Sequence, residues 1–385
     1  MIDPTPGLDW SRRRFLGGAL AGGAALAAAG LLGGCSTRRD VTRLATDDRW
    51  RQFAGTTLNF VSEDTPPSEA IAADLRPFTE LTGIHVNVIQ LELSALVQKV
   101  ALDLASGQAQ YHVIYADPYQ VLAPYSKGMV DLREFADDPS LPGGSADFPD
   151  FIPLQMDAAG KFQDADRVFA LPYDCPTLIW NYRKDLFDKY HYRMAVDLGF
   201  DPTPGAHLTW EQYYRIAKWF NDNTHDVAYG TGHQAKQHDS LQCDFSDVLW
   251  AYGGDYFAPG SDQLGRLGAL DPGPCRLTDN RAIEAAAFYQ RLISVADPAS
   301  RSWDWDGLGA AFRAGRIAMC PNWHENATKN EKALPGKVGY APLPRGPVRS
   351  ANNYGGTGIG INANAMPNER KAAWLFVTWA TSPQT

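Results

Sequence analysis

Carboxylates and aromatic rings recur in this chain where apolar runs come to an end. Glu63 and Asp64 follow the first such run, Asp117 and Tyr119 the third, and Tyr173 with Asp174 stands in Leu171-Pro172-Tyr173-Asp174. Asp244, Trp323 with Glu325, and Tyr354-Gly355-Gly356 complete the set. An ionised carboxylate accepts hydrogen bonds, and the face of an aromatic ring packs on C–H surface. A sugar needs both partners, because it carries hydroxyls around apolar C–H faces. Each residue alone is commoner as a surface acid or a core aromatic, so their recurrence at element ends carries the reading. The glycines at 355 and 356 allow a backbone to approach a ligand closely, since no Cβ stands in the way. Trp180, mid-strand, and Trp250, within a helix, read as core.

Other chemistries have weaker support. Two carboxylates such as Asp117 and Asp174 could serve as acid and base in a glycan hydrolase, the main rival reading. No serine or cysteine occupies a G-x-S-x-G elbow, so nucleophilic catalysis is not expected. His324-Glu325 is half of a zinc-protease motif, but position 328 is Thr328. His233 and His238 lie in a polar stretch and read as solvated, and no metal or cofactor is expected. Tyr354–Gly360 lacks the spacing of a nucleotide loop and leads into a strand where that motif opens a helix. The formal charge is −9, and no basic run accompanies it in the body of the chain, which argues against nucleic acid.

The elements that must position these residues follow from periodicity. Thr57–Val61, His85–Ile89 and Tyr111–Tyr115 read as strands. Between them lie a helix with Ile71, Leu75 and Phe78 at helical spacing, capped by Ser68, and a second over Leu93–Ala105. Ser62–Pro67 reads as a polar turn, neither sheet nor helix. Strands alternating with helices call for a parallel sheet, with ligands beyond the strands' carboxyl ends. Leu171–Asp174 reads as a turn, Thr177–Tyr182 as a buried strand and Arg183–Phe187 as a charged turn. Thr209-Trp210-Glu211-Gln212 is a capping box opening a helix with Tyr213, Ile216, Ala217 and Phe220 inward. Further helices are expected over Leu241–Tyr252, Asn280–Val295 (with Ile283, Ala287 and Phe288 on one face), Leu308–Gly315 and Asn368–Ala380. Strands are expected at Ile317–Cys320, Val338–Pro342 and Gly358–Ile361.

Several of these segments, in order, resemble the family 1 extracellular solute-binding proteins, the sugar receptors of bacterial ABC importers. Leu171–Phe187 is similar to that family's P-Y-D-x-x-x-L-x-x-Y-x-K-D-L-F stretch, with Tyr182 and Lys184-Asp185-Leu186-Phe187 in place and Arg183 where asparagine is commoner. Gly83–Val88, Thr209–Glu211, Leu308–Trp323 and Gly355–Ile361 match further motifs. The resemblance implies a type II-like α/β fold of two lobes joined by hinge strands. It implies lobe 1 at 56–170 with 352–385 returning to it, and lobe 2 at 171–351. It also implies a monomeric receptor that hands a sugar to the permease subunits of an ABC transporter without chemical change, placing Glu63, Asp64, Asp117, Tyr119, Tyr173, Asp174, Asp244, Trp323, Glu325, Tyr354, Gly355 and Gly356 around the ligand. Members of the family usually continue past the S-P-Q that is here Ser382–Gln384, so part of the family's C-terminal end is expected to be missing.

The amino terminus carries an address. Ser11-Arg12-Arg13-Arg14-Phe15-Leu16 matches the twin-arginine pattern, a weakly apolar Gly/Ala run follows, and Leu32-Gly33-Gly34-Cys35 fits a lipobox. Residues 1–35 therefore read as a lipoprotein signal ending at a lipidated Cys35, and 36–55 as a tether. The expected location is extracytoplasmic, at the periplasm or cell surface, with only the lipid in the membrane. Without residues 1–34 the charge is −10. Cys175, Cys243, Cys275 and Cys320 would face an oxidising compartment, and their pairing is open.

Overall fold

The computed structural model describes residues 47–259, 267–268, 272–383 and 385. The proposed signal, the lipobox cysteine and most of the tether lie outside them.

Two sheets carry the molecule. The first contains β1 (Thr57–Glu63), β2 (His85–Leu91), β3 (Val113–Ala116), β4 (Ala170–Asp174) and β9 (Thr357–Ile361) in the order β2-β1-β3-β9-β4. The second has the order β6-β7-β5-β8, with β5 at Leu178–Arg183, β6 at Tyr229–Thr231, β7 at Ile317–Trp323 and β8 at Val338–Ala341. Pairing among β1, β2 and β3 is parallel, as alternating strands and helices predict, whereas β9 runs antiparallel to both β3 and β4. Each sheet has its own apolar core. Phe60, Phe78, Ile114, Ile359 and Phe376 fill the first, and Trp180, Trp210, Tyr213, Phe220 and Phe288 the second. Trp180 is fully buried as expected, while Trp250 is only partly so.

The chain crosses between sheets twice. Cys175–Thr177 leads from β4 to β5, and 342–356 returns from β8 to β9. The two crossings hold one another: Leu178 N donates to Asn353 O at 3.1 Å, and Gly355 N to Pro176 O at 2.9 Å. Backbone bonds at this point fix where the sheets meet and leave few dihedrals free to change.

Several expectations are corrected. Leu171–Asp174 is not a turn but edge strand β4; Pro172 is tolerated there because an edge strand needs fewer ladder donors. Ser62 and Glu63 extend β1, and Pro66-Pro67 opens helix α1 (Pro66–Ala73), where a missing N–H costs nothing. Ile71, Leu75 and Phe78 are split between α1 and α2 (Arg76–Thr82), which break at Asp74. Arg183–Phe187 is not a turn either, because Lys184 begins α4 (Lys184–Leu198).

The capping box opens α5 (Trp210–Asn223): Gln212 N donates to Thr209 Oγ1 and Thr209 N to Gln212 Oε1, and all four inward residues are buried. Downstream are α6 (Asp239–Ala251), α7 (Asn280–Val295), α8 (Trp305–Arg313), α9 (Ala327–Ala333) and α10 (Pro367–Ala380). On α7, Ala282, Ala285, Phe288, Tyr289 and Leu292 face inward and Ile283 is exposed, so the helix is rotated from the expected face. The bulky aromatics at 288 and 289, which pack on Tyr252 and Phe245, set that rotation.

Candidate ligand-binding site

A cleft open to solvent lies where the two sheets approach. Strand ends build one wall. Glu63 closes β1, Asp117 follows β3, Asp174 closes β4 and Thr357 starts β9. Asp117 caps the helical turn Pro118–Leu122, its Oδ1 accepting from Tyr119 N at 3.0 Å and Gln120 N at 2.8 Å. Tyr119 stands at the mouth, 77% exposed. The opposite wall comes from the other half: Trp323 at the end of β7, Glu325 just beyond it, Trp305 at the start of α8, and Asp239, Gln242 and Cys243 on α6. The return crossing, Asn353–Gly356, forms the floor.

Nine of the twelve sequence-derived residues line this one cleft: Glu63, Asp117, Tyr119, Asp174, Trp323, Glu325, Tyr354, Gly355 and Gly356. The other three do not. Asp64 is exposed and accepts a 3.4 Å bond from Gln90, because strand alternation turns it away from the side that Glu63 faces. Tyr173 packs edge-on against Phe60 and Tyr115 in the first core, alternating with Asp174 along β4. Asp244 lies inside the second half, where its Oδ2 contacts His233 Nδ1 at 2.9 Å and accepts from the Tyr289 hydroxyl at 2.7 Å. That bond makes His233 a buried structural residue, contrary to its reading as a solvated loop histidine. His238 caps α6, with its ring against Trp305. Among the described residues, no group of acids, histidines and cysteines is arranged to hold a metal.

The glycine run is read differently in the folded molecule. A Cβ at Gly355 would come within 3.0 Å of the Trp323 ring, and one at Gly358 within 2.6 Å of Ala159 O. Close approach is therefore required, but by the protein's own ring and backbone.

Sequence reasoning missed Tyr115, Asp239, Gln242, Cys243, Trp305 and Asn353. On α6 the signal was available: residues 239, 242 and 243 follow helical i, i+3, i+4 spacing, and starting the helix at Leu241 hid it. Trp305, between Asp304 and Asp306, stands in the first turn of α8, which begins three residues ahead of the expected Leu308.

The cleft has an unusual charge. Burial first, then the charges of Asp117 and Asp174, push the Glu63 carboxyl up to about 8. Asp117 is raised by burial despite its two backbone donors. Asp174 and Glu325 come from opposite walls and hydrogen-bond to one another, so one of them must hold a proton; burial raises both. The Tyr115 hydroxyl donates to Asp174 Oδ2 at 3.4 Å. Aromatic rings on one wall with such acceptors beside them suit a guest that brings its own donors. Cys175, Cys243, Cys275 and Cys320 are free thiols.

The same architecture occurs elsewhere. Residues 62–385 match the model of the bacterial extracellular solute-binding proteins, and the chain belongs to that family. An erythritol/L-threitol-binding protein of Mycolicibacterium smegmatis is 24% identical over 404 residues, spanning 99% of this chain and 80% of the relative. A probable amino-acid ABC transporter periplasmic-binding protein of Sinorhizobium fredii is 24% identical over 377 residues, 94% of this chain and 76% of the relative. Among solved structures, an ABC transporter solute-binding protein of Agrobacterium radiobacter in complex with ribitol superposes with a TM-score of 0.67 at 24% identity, over 86% of this chain and 77% of the other. Maltose-bound MalE3 of T. maritima gives 0.68 at 24%, over 85% and 78%. These neighbours establish the two-lobed fold. Family and neighbours alike are binding proteins, and among the described residues no helix is long and apolar enough to cross a membrane.

Proposed function

We propose that the protein is an extracytoplasmic receptor that captures a small polyhydroxylated solute between its two lobes and presents it, chemically unchanged, to the permease of an ABC importer. The observation that carries this reading is the cleft itself, in which acceptors on one sheet face aromatic platforms on the other. The names of the relatives support it, since erythritol, ribitol and maltose all combine hydroxyls with C–H faces. Hinge closure is the handling mode long recognised for periplasmic binding proteins. A ligand that touches both walls only when they are together favours the closed state by that difference in affinity. Lobe 1 is then 56–174 with 357–385 and lobe 2 is 178–341, joined by the crossings at 175–177 and 342–356; the boundary moves from the expected 170/171 because β4 belongs to the first sheet. The receptor acts as a monomer, leaves the cytoplasm by the twin-arginine route and is held at the membrane by lipid on Cys35.

A thermal-shift screen with erythritol, ribitol, mannitol and maltose tests the reading, because a ligand that binds only the native state raises its melting temperature. At least one polyol or sugar is expected to raise it, with no new reducing ends after prolonged incubation. Released reducing ends would favour the hydrolase instead. Anchoring is tested separately: Cys35→Ala should move the protein from the membrane fraction to the soluble one.

A further inference from the structure

The cleft holds five carboxylates, Glu63, Asp117, Asp174, Asp239 and Glu325, and its lining contains no lysine, arginine or histidine. None of the five belongs to an ion pair among the described residues. The nearest cations stay outside. Lys329 is held by Glu69 at 2.8 Å, Arg313 turns toward Asn326 and Asp306, and His324 Nδ1 is engaged by Thr177 N. Asp306, on α8, adds further negative charge from behind. Asp174 is 2% exposed, Glu325 Oε2 is buried with no fixed donor reaching it, and Trp323 is 8% exposed. His324 and Lys329 offset Asp174 and Glu325 only in part from outside the lining, and buried carboxylates short of compensation are costly and are relieved by protons or by a cation. Neutral hydroxyls can donate to them but cannot cancel the charge. Beside them stand Trp305 and Trp323, whose ring faces attract cations.

We infer that the solute carries an ammonium group as well as hydroxyls, an amino sugar or amino polyol, and that this group sits among Glu63, Asp174 and Glu325 against the tryptophan wall. The inference rests on the proposed role as a receptor for hydroxylated solutes and narrows it. The ammonium takes the place of the protons that burial otherwise keeps on these carboxyls, so binding releases protons to solvent. A neutral analogue of the same shape leaves them in place.

Calorimetry on the mature chain with matched pairs tests this: 1-amino-1-deoxy-D-glucitol against D-glucitol, glucosamine against glucose, and the glucosamine disaccharide against cellobiose. Titrations near neutral pH in two buffers of different ionisation enthalpy count the protons. In at least one pair the amine is expected to bind ten-fold or more tightly than its neutral partner, with net proton release. Glu63→Gln should shrink that ratio several-fold, because it weakens binding of the amine more than binding of the neutral partner. Equal or tighter binding of the neutral partners overturns the ammonium and leaves the receptor role standing. If no member of any pair binds but a neutral solute of the thermal-shift screen does, the ammonium is overturned and the receptor role stands; if none of either set binds, both fall. Equal losses for both partners in the Gln variant would mean that Glu63 shapes the cleft and does not read charge.

Discussion

Trp323 and Glu63 show what single side chains contribute. Trp323 closes β7, packs over Gly355 and presents its remaining edge to the cleft, so truncating it removes a platform and loosens the floor. Trp323→Ala should weaken solute binding ten-fold or more, about 1–3 kcal/mol, measured by calorimetry. Unchanged affinity would remove this ring from the site. Glu63 should be visible in the pH dependence of stability. Its carboxyl titrates near 4.5 when unfolded and about 8 in the fold, so between those values the native state binds more protons than the unfolded one. Stability then falls as pH rises through that window, by up to about 1.4 kcal/mol per pH unit for one such group. Asp117 and Asp174 act in the same sense. Asp138 and Asp201, lowered to about 2, act in the opposite sense only in acid, below the window. The unliganded protein is therefore expected to melt higher at pH 5.5 than at pH 8, and Glu63→Gln should flatten the slope.

Elements place these groups by being tied at defined points. Helix α6 carries Asp239, Gln242 and Cys243 into the cleft because its other face is anchored. Asp244 is held by His233 and Tyr289, and Asp247 accepts from Asn353 N on the return crossing. Asp247→Ala would leave that backbone donor without its acceptor and should both destabilise the fold and weaken binding, although the residue does not line the cleft. Helix α5 depends on its capping box, and Thr209→Ala should cost about 1 kcal/mol of stability with little effect on affinity, as read by chemical denaturation and calorimetry together. Loss of affinity comparable to the Asp247 variant would contradict that separation. Both helices show how far sequence reading reached. The Thr209–Gln212 box was legible because capping is decided within four residues. Asp244 was misassigned because its partners lie 11 and 45 residues away.

At the scale of the whole molecule, contacts besides the crossings and the Asp174–Glu325 pair link the two halves: Lys329 pairs with Glu69, and Gln120 Nε2 donates to Asp239 at 3.2 Å. Both partners of the first pair are partly solvated, so it should contribute no more than about 1 kcal/mol, and less at high salt. Lys329→Ala is expected to reduce affinity by less than about five-fold at low ionic strength and negligibly in 0.5 M salt. Small-angle scattering checks the closure itself: a bound solute should reduce the radius of gyration, and an unchanged profile would mean that these walls do not move.

Sequence alone determined most of the segments that become strands and helices, that a sheet with parallel strands forms at the start, and that carboxylates and rings stand at element ends. Those properties depend on periodicity, capping and turn residues, all of them local. Three things depended on the tertiary structure. The edge position of β4 made a strand of a proline-containing stretch that reads as a turn. The register of β1 and β4 sent Glu63 and Asp174 into the cleft while Asp64 and Tyr173 faced elsewhere. The approach of α6 and α8 added Asp239, Gln242 and Trp305 to the lining. Side-chain direction in a strand reverses with each residue, and helix rotation answers to distant partners. The composition of the site could therefore be read along the chain, but which members meet was settled by packing.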